Sequence, residues 1–335
     1  MIITKTPFRM SFFGGGADMP EFFNEYGASV ISTTFDKYCY VTIRHLPPFF
    51  EYYSEISYSK IEQVRETEEI VHPLVRNAML YKDIHDIRLT YEADLPARSG
   101  LGTSSSFAVG MLQGFYALKG KTADKRTLAR DAIHVERDLC QEAGGWQDQI
   151  AAAYGGLNRI DFADNDFTVT PLAVSPARKQ ELDGNLLMFF TGFTRLSSDI
   201  QKESRPMAEK IAQLREMTAL TAEAEKVLTD ESRDLAEFGR LLDTTWRLKR
   251  QTGDKVSTDS IDGYYKKALD AGALGGKLLG AGGGGFLVFY AEPDRQEAVR
   301  RAMEDLMYIP FSFEEGGSQI IYNSPETYSF RGAAD

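Results

Sequence analysis

The sequence predicts an α+β protein of two domains, and three observations point there. Its 335 residues exceed the usual size of one hydrophobic core. Its apolar pattern switches repeatedly between strand and helix periods, without an internal repeat. Around residues 171–185, PLAVSPARKQELDGN breaks that pattern with two prolines and a run of charges. The break predicts an amino-terminal mixed α/β domain over residues 1–175 and a carboxy-terminal α+β domain over 183–335.

From the amino terminus, MIITKTPFRMSFF reads as a short strand running into a loop that ends in GGGAD. Residues 28–45, ASVISTTFDKYCYVTIRH, are β-branched and aromatic and read as sheet strands. IRLTYEADL alternates and reads as another strand, and FAVGMLQGFYAL, behind a glycine-rich turn, as a helix. Gly110 and Gly114, four apart, let that helix approach a neighbour closely. Residues 124–142 predict an amphipathic helix with Leu128, Ala132, Val135 and Leu139 on its apolar face. Beyond the break, NLLMFFTG is a buried strand and residues 197–250 are helical, with one turn signal at TDES. IDGYYKKALDAGA is a short helix, GGKLLGAGGGG a glycine cluster and FLVFYA a strand, and the tail repeats helix then strand.

A composition of 43% hydrophobic and 26% charged residues is that of an ordinary globular protein. A net charge of −11 argues against nucleic-acid and anionic-membrane partners, while leaving room for a local basic site that takes an anionic substrate. Two cysteines, Cys39 and Cys140, form no disulfide framework and read as thiols of a reducing compartment. The first residues carry no signal-peptide pattern and no segment has the length of a membrane span, so a cytoplasmic location is expected. Oligomeric state is not readable from the chain.

Four segments could carry chemistry. PARSGLGTSSS sets Ser99, Gly100, Leu101, Gly102, Thr103, Ser104 and Ser105 at a helix start, where unpaired N–H groups and the helix dipole cradle an anion. A helix cap without a ligand is the plainer reading. The cluster at 275–285, with Gly282 and Gly283, matches GxGxxG only formally, because a strand rather than a helix comes after it. It is either a flexible turn or a loop closing over a phosphate bound elsewhere. HVERDLCQEAGGWQDQIAAAYGG offers Glu136 beside an apolar stripe and Asp148 in the first turn of a second helix; each is also a common solvated or helix-stabilising residue. PFRMSFFGGGADMPEF places Arg9 at a strand end and Asp18 behind Gly14, Gly15 and Gly16, a costly run that points to a ligand against the backbone or, more simply, to a surface turn.

Together these segments resemble the GHMP kinases. PFRMSFFGGGADMP is similar to that family's first motif, at the phosphoryl acceptor, PARSGLGTSSS to its second, over the nucleotide phosphates, and KLLGAGGGG to its late glycine loop. The order and spacing match over residues 6–285. The resemblance implies the two-domain GHMP kinase fold, with a ferredoxin-like α+β carboxy-terminal domain, and ATP and Mg2+ as cofactors. It implies nucleotide contacts from the second and third motifs, with Thr103 and Ser104 as the paired hydroxyl residues. Ser104 and Glu136 then ligate magnesium, Asp148 faces the acceptor hydroxyl, Arg9 pairs with Asp148, and Gly16 and Asp18 meet the sugar. An ion-paired aspartate is a weak ground-state base, so proton transfer is expected late in a loose transition state.

Within the family, TPFRMSFFGGGAD, TGFTR and GALGGKLLGAGGGGFLVFY resemble the branch acting on D-glycero-D-manno-heptose 7-phosphate, which yields the 1,7-bisphosphate for nucleotide-heptose synthesis. The implied partner is thus a small-molecule sugar phosphate; by composition and placement alone, Arg98 and Arg195 are candidates for its phosphate or, equally, surface salt-bridge residues. Ala17 stands where threonine is common and Thr103 where serine is common. Another acceptor, fucose-like or an N-acetylhexosamine, and a catalytically silent sugar and ATP sensor are the competing readings; the intact set Arg9, Ser104, Glu136 and Asp148 argues against the sensor.

Overall fold

The computed structural model describes residues 1–97, 99–192 and 205–324. Its strands are β1 (Ile2–Phe13), β2 (Ala28–His45), β3 (Ser54–Ser57), β4 (Ile61–Val64), β5 (Ile87–Ala93), β6 (Asn158–Ala163), β7 (Asp166–Pro171), β8 (Leu186–Phe190), β9 (Gly275–Leu278), β10 (Phe286–Tyr290), β11 (Met307–Ile309), β12 (Phe313–Glu314) and β13 (Gln319–Asn323). Its α-helices are α1 (Pro20–Tyr26), α2 (Pro73–Lys82), α3 (Thr103–Leu118), α4 (Lys125–Ile133), α5 (Gln147–Tyr154), α6 (Pro176–Gly184), α7 (Met207–Thr229), α8 (Ala236–Arg250), α9 (Asp259–Asp270) and α10 (Pro293–Ala302).

The expected short first strand is in fact twelve residues long. Pro7 does not end it. The pairing of β1 with β2 slips between Pro7 and Phe8, an irregularity that accommodates a residue without an N–H. Up to Thr6 the side chains of β1 alternate between buried and partly exposed; from Thr6 to Phe13 all are buried. Arg9 lies in that fully covered stretch. The eighteen-residue β2 is the spine of the first sheet, ordered β13-β1-β2-β5-β3-β4, with β6 and β12 also on β2 and β7 on β6. A second, antiparallel sheet runs β11-β8-β10-β9. The first sheet is built mostly from strands before the break at 171–185 and the second wholly from strands after it, in agreement with the expected two-domain α+β fold. The last two strands, however, return to the first sheet, so the segment expected as a carboxy-terminal unit over 183–335 also completes the amino-terminal sheet.

The glycine pair in α3 does what its spacing suggests. A Cβ at Gly110 would lie 2.6 Å from Thr6 Oγ1, and one at Gly114 would lie 2.5 Å from Ile43 Cδ1, so α3 sits tight against β1 and β2. The helix expected over 124–142 changes register midway. After α4 the chain makes a π-helical turn over His134–Leu139. A wider turn rotates the later side chains about the axis, so Leu139 is exposed rather than on the apolar face, and Glu136 is buried. The helical stretch expected over 197–250 is α7 and α8, broken at TDES as expected, with residues 197–204 outside the described residues. The end of β1 joins the halves: Phe12 and Phe13 meet Phe238 of α8 edge-on, with ring centroids 5.2 and 5.1 Å apart. Among the described residues no helix is long and apolar enough to cross a membrane.

Candidate active site

The amino terminus of α3 is the centre of the site. Gly102 caps it in the left-handed conformation (φ 72°), open to glycine at little cost, and leaves the first N–H groups of α3 outward. Directly beneath lies Arg9. Its Nε and Nη2 donate to Asp148 Oδ1 and Oδ2 at 2.7 and 2.8 Å, a two-pronged pair, and its Nη1 donates to Gly100 O at 2.7 Å. The Arg9 N–H donates to Leu101 O at 3.2 Å, so strand and loop hold one another. A Cβ on Gly102 would sit 3.2 Å from Arg9 Cγ and 3.4 Å from Asp148 Cγ. The loop thus rests on the pair, and no side chain intervenes.

On the other flank the π turn aims Glu136 at the same helix end. Ser104 Oγ donates to Glu136 Oε1 at 2.6 Å; Ser105 Oγ and Gln149 Nε2 donate to Oε2 at 2.7 and 2.6 Å. Burial raises the Glu136 pKa, the three donors oppose that, and the nearby Asp148 charge adds to it. Ser104 is exposed, whereas Thr103 is buried. Ser105 and Gln149 are partners of Glu136 that sequence reasoning missed; along the chain Ser105 reads only as part of the nucleotide loop.

Asp18 closes the third side. Its carboxylate accepts from the Gly16 N–H at 2.8 Å and the Gln147 N–H at 3.2 Å, and its own carbonyl accepts from the Trp146 N–H at 3.1 Å. A Cβ on Gly145 would lie 1.8 Å from Asp18 Oδ2, which explains the glycine there. Burial, then the Asp148 charge, raises the Asp18 pKa. Two lysines unnoticed as site residues complete the wall. Lys249 of α8 donates from Nζ to Gly15 O at 3.3 Å, and Lys277 of β9 donates to Phe12 O at 3.0 Å. Four buried polar atoms here, Ser11 Oγ, Ser99 Oγ, Gln147 Oε1 and Gln149 Oε1, have no hydrogen-bond partner among the described residues. Native interiors leave few such atoms, and a polar ligand would supply partners.

The second glycine cluster is not one loose turn. GGKL is the buried strand β9, and only the residues after it form the loop. Gly280 meets Gly100, where a Cβ on Gly280 would lie 2.4 Å from Gly100 Cα, and Gly285 packs equally closely on Ser99 O. Gly282 and Gly283 lie instead against Val256, whose carbonyl accepts the Gly283 N–H at 3.1 Å. Arg98 and Arg195 lie outside the described residues. No group of three or more His, Cys, Asp or Glu residues poised for a metal exists among the described residues.

This arrangement holds an anion cradle, an ion-paired carboxylate beneath it and a hydroxyl–carboxylate pair beside it. Comparison with known proteins agrees with it. The family model for the GHMP kinase N-terminal domain matches residues 69–156, and that for the GHMP kinase C-terminal domain matches residues 196–309. A D-glycero-alpha-D-manno-heptose 7-phosphate kinase of Campylobacter jejuni is 30% identical over 94% of this chain and 97% of its own length. A crystal structure of a D-glycero-D-manno-heptose 1-phosphate kinase from Bacteroides thetaiotaomicron superposes with a TM-score of 0.76 at 25% identity, covering 98% of this chain and all of that one. A Lactococcus lactis galactokinase complexed with galactose, 16% identical, shares the fold with a TM-score of 0.72 over 95% of this chain and 94% of its own. With both halves of the chain matched and one relative alike over nearly its whole length, the chain belongs to the GHMP kinase family, whose members draw their phosphate from ATP.

Proposed function

We propose that this kinase transfers the γ-phosphate of ATP to the anomeric hydroxyl of D-glycero-D-manno-heptose 7-phosphate, giving the 1,7-bisphosphate. The observation that carries the reading is the seat of Asp148. Its carboxylate lies under Gly102, at the mouth of the cradle, so an acceptor hydroxyl that reaches it is beside the nucleotide phosphates. The likeness to heptose-phosphate kinases supplies the sugar. The names of those relatives differ over whether the phosphate is at carbon 1 or carbon 7. An acceptor with a free anomeric hydroxyl must carry its phosphate elsewhere, which favours carbon 7.

In this reading the loop from Ser99 to Ser105 binds the phosphates through backbone N–H groups, and the third motif supports the loop at Gly280. Asp148 orients the acceptor hydroxyl and takes its proton late, while Arg9 fixes the carboxylate in place. Gly16 and Asp18 hold sugar hydroxyls. Ser104 and Glu136 would hold Mg2+: the donors are oxygen, Ser104 is exposed, and Glu136 Oε1 accepts a single hydrogen bond and so retains a lone pair. The metal, when bound, neutralises charge on the phosphates. We further infer residues 1–175 and 183–335 as the two domains, the second lending β12 and β13 to the sheet of the first, with the acceptor bound where β1 meets α8.

The test is direct. The protein is incubated with Mg-ATP and heptose 7-phosphate, free heptose, mannose, fucose or an N-acetylhexosamine, and the new phosphate is located by phosphorus NMR. A bisphosphate with an anomeric phosphate is expected. Preferential turnover of fucose or an N-acetylhexosamine would overturn the assignment.

A further inference from the structure

Lys277 is unusual for a lysine. It sits on β9 with only 4% of its surface exposed, and among the described residues its ammonium has one hydrogen-bond acceptor, Phe12 O. An ammonium has three donors, and a buried one without a full set of partners is costly. Lys249 approaches from α8 toward the same stretch of chain, at Gly15 O, and its Nζ lies 3.0 Å from where a Cβ on Gly16 would be.

The charges around the two amines do not balance. Arg9 and Asp148 form a closed pair that is neutral overall. What remains near the lysines is a single carboxylate, Asp18, whose charge reaches both. Lys210 of α7, whose charge also reaches Lys249, faces Glu21 instead. Two ammonium groups against one carboxylate leave one positive charge in surplus, in a buried place where charge is expensive. Burial first, then the Lys249 and Arg9 charges, pushes the Lys277 pKa down to about 7, against the opposing pull of Asp18. Both amines point at the backbone of residues 12–16, the loop that also carries Asp18.

We propose that Lys249 and Lys277 form the anion subsite that holds the phosphate already present on the acceptor sugar. The inference rests on the sugar-phosphate reading above and deepens it. A bound phosphate supplies acceptors for the unused N–H donors, and its negative charge more than offsets the surplus. Held there, it places the sugar between the lysines and Asp148, with Asp18 beside the ring. The lysines are then specificity-determining residues, distinct from the Arg9–Asp148 pair, and their effect falls on the choice between phosphorylated and free sugar.

The experiment compares wild type, Lys249→Met, Lys277→Met and Lys249→Arg on heptose 7-phosphate and on free heptose, with the Michaelis constant for ATP followed separately. Each Met variant is expected to lower the ratio of the two specificity constants by roughly tenfold or more, one charge-assisted contact being worth at least about a decade. The loss should appear in the Michaelis constant for the sugar phosphate, and Lys249→Arg should recover part of the ratio. Inorganic phosphate should compete with heptose 7-phosphate in wild type and much less in Lys249→Met. If wild type does not discriminate between the two acceptors, the sugar-phosphate reading itself fails. If wild type discriminates and both Met variants keep the ratio, the reading stands and the subsite is overturned. Should Lys277→Met not fold, the half-buried Lys249 decides the matter alone.

Discussion

Replacing Asp148 by Asn tests the centre of the site with nearly no change of shape. Asp148 accepts two hydrogen bonds from Arg9, at 2.7 and 2.8 Å. An amide keeps one acceptor oxygen and turns an NH2 group toward the second Arg9 N–H. Arg9 stays buried, with its bond to Gly100 O intact. Breaking a fully buried ion pair costs about 3–5 kcal/mol, but the Asp148 side chain is 27% exposed, so water offsets part of the loss and about 1–3 kcal/mol is the fitting range. For a chain of this size that is a fall in Tm of roughly 1–4 °C. Chemistry should suffer more. A positioned acid–base group contributes at least ~100-fold, or ~2.7 kcal/mol of barrier. The assay is steady-state kinetics with a thermal melt of the same preparation, and the Michaelis constant for ATP should change little. A kcat within a few-fold of wild type, in a folded protein, would remove Asp148 from the reaction.

Other outcomes rest on the same geometry. Glu136→Gln should raise the magnesium concentration needed for half-maximal rate and weaken the rise in Tm that magnesium produces; an unchanged titration and melt would mean that another group holds the metal. Gly100→Ala should destabilise by more than ~2 kcal/mol in a denaturant titration, since φ is +82° and the new Cβ would lie 2.3 Å from Leu279 O; a change below ~0.5 kcal/mol would refute the contact between the two glycine loops. The Michaelis constant for heptose 7-phosphate should rise as pH climbs through about 7, because Lys277, faced by Arg9, Lys249 and Asp18, then loses the proton that attracts the phosphate. Bound phosphate shifts that loss to higher pH. The phosphate's own ionisation near about pH 6 acts in the opposite sense, so the profile is read against Lys277→Met, which should lack the alkaline limb.

Much of the site was legible in local sequence, but only where function depends on local backbone. Gly100 and Gly102 before a run of hydroxyls announce a helix start, and α3 begins at Thr103. Arg9 and Asp148 are 139 positions apart, and only the family resemblance could pair them. Glu136 was identifiable by resemblance, while its burial was not, because a π turn breaks the helical periodicity that sequence reading assumes. Lys249 gave no signal, and Lys277 stood only as the first residue of the third motif, with no role attached to it. Lys249 is a polar residue on a helix, and Lys277 reads along the chain only as the residue that opens KLLGAGGGG. Their roles arise where β1, α8 and β9 converge, which no spacing along the chain encodes. The length of β1 was misjudged because Arg9 was taken as the strand end ahead of the glycine run, whereas the strand continues to Phe13 and a shift in pairing absorbs Pro7.

The return of the last strands to the first sheet bears on how the chain acquires its shape. β1 is synthesised some three hundred residues before β13, yet the edge of its residues Ile2–Lys5 is paired only when β13 arrives, with Ile2 against Asn323. Until then that short strand edge stands open, and open edges invite pairing with other chains. Contacts so distant in sequence slow the final closure. The Met1 and Ser324 backbones also bond to each other in both directions. A version of the chain rejoined there and opened at an exposed loop would let β13 and β1 emerge in succession, and should gather less aggregate during synthesis than the natural order does.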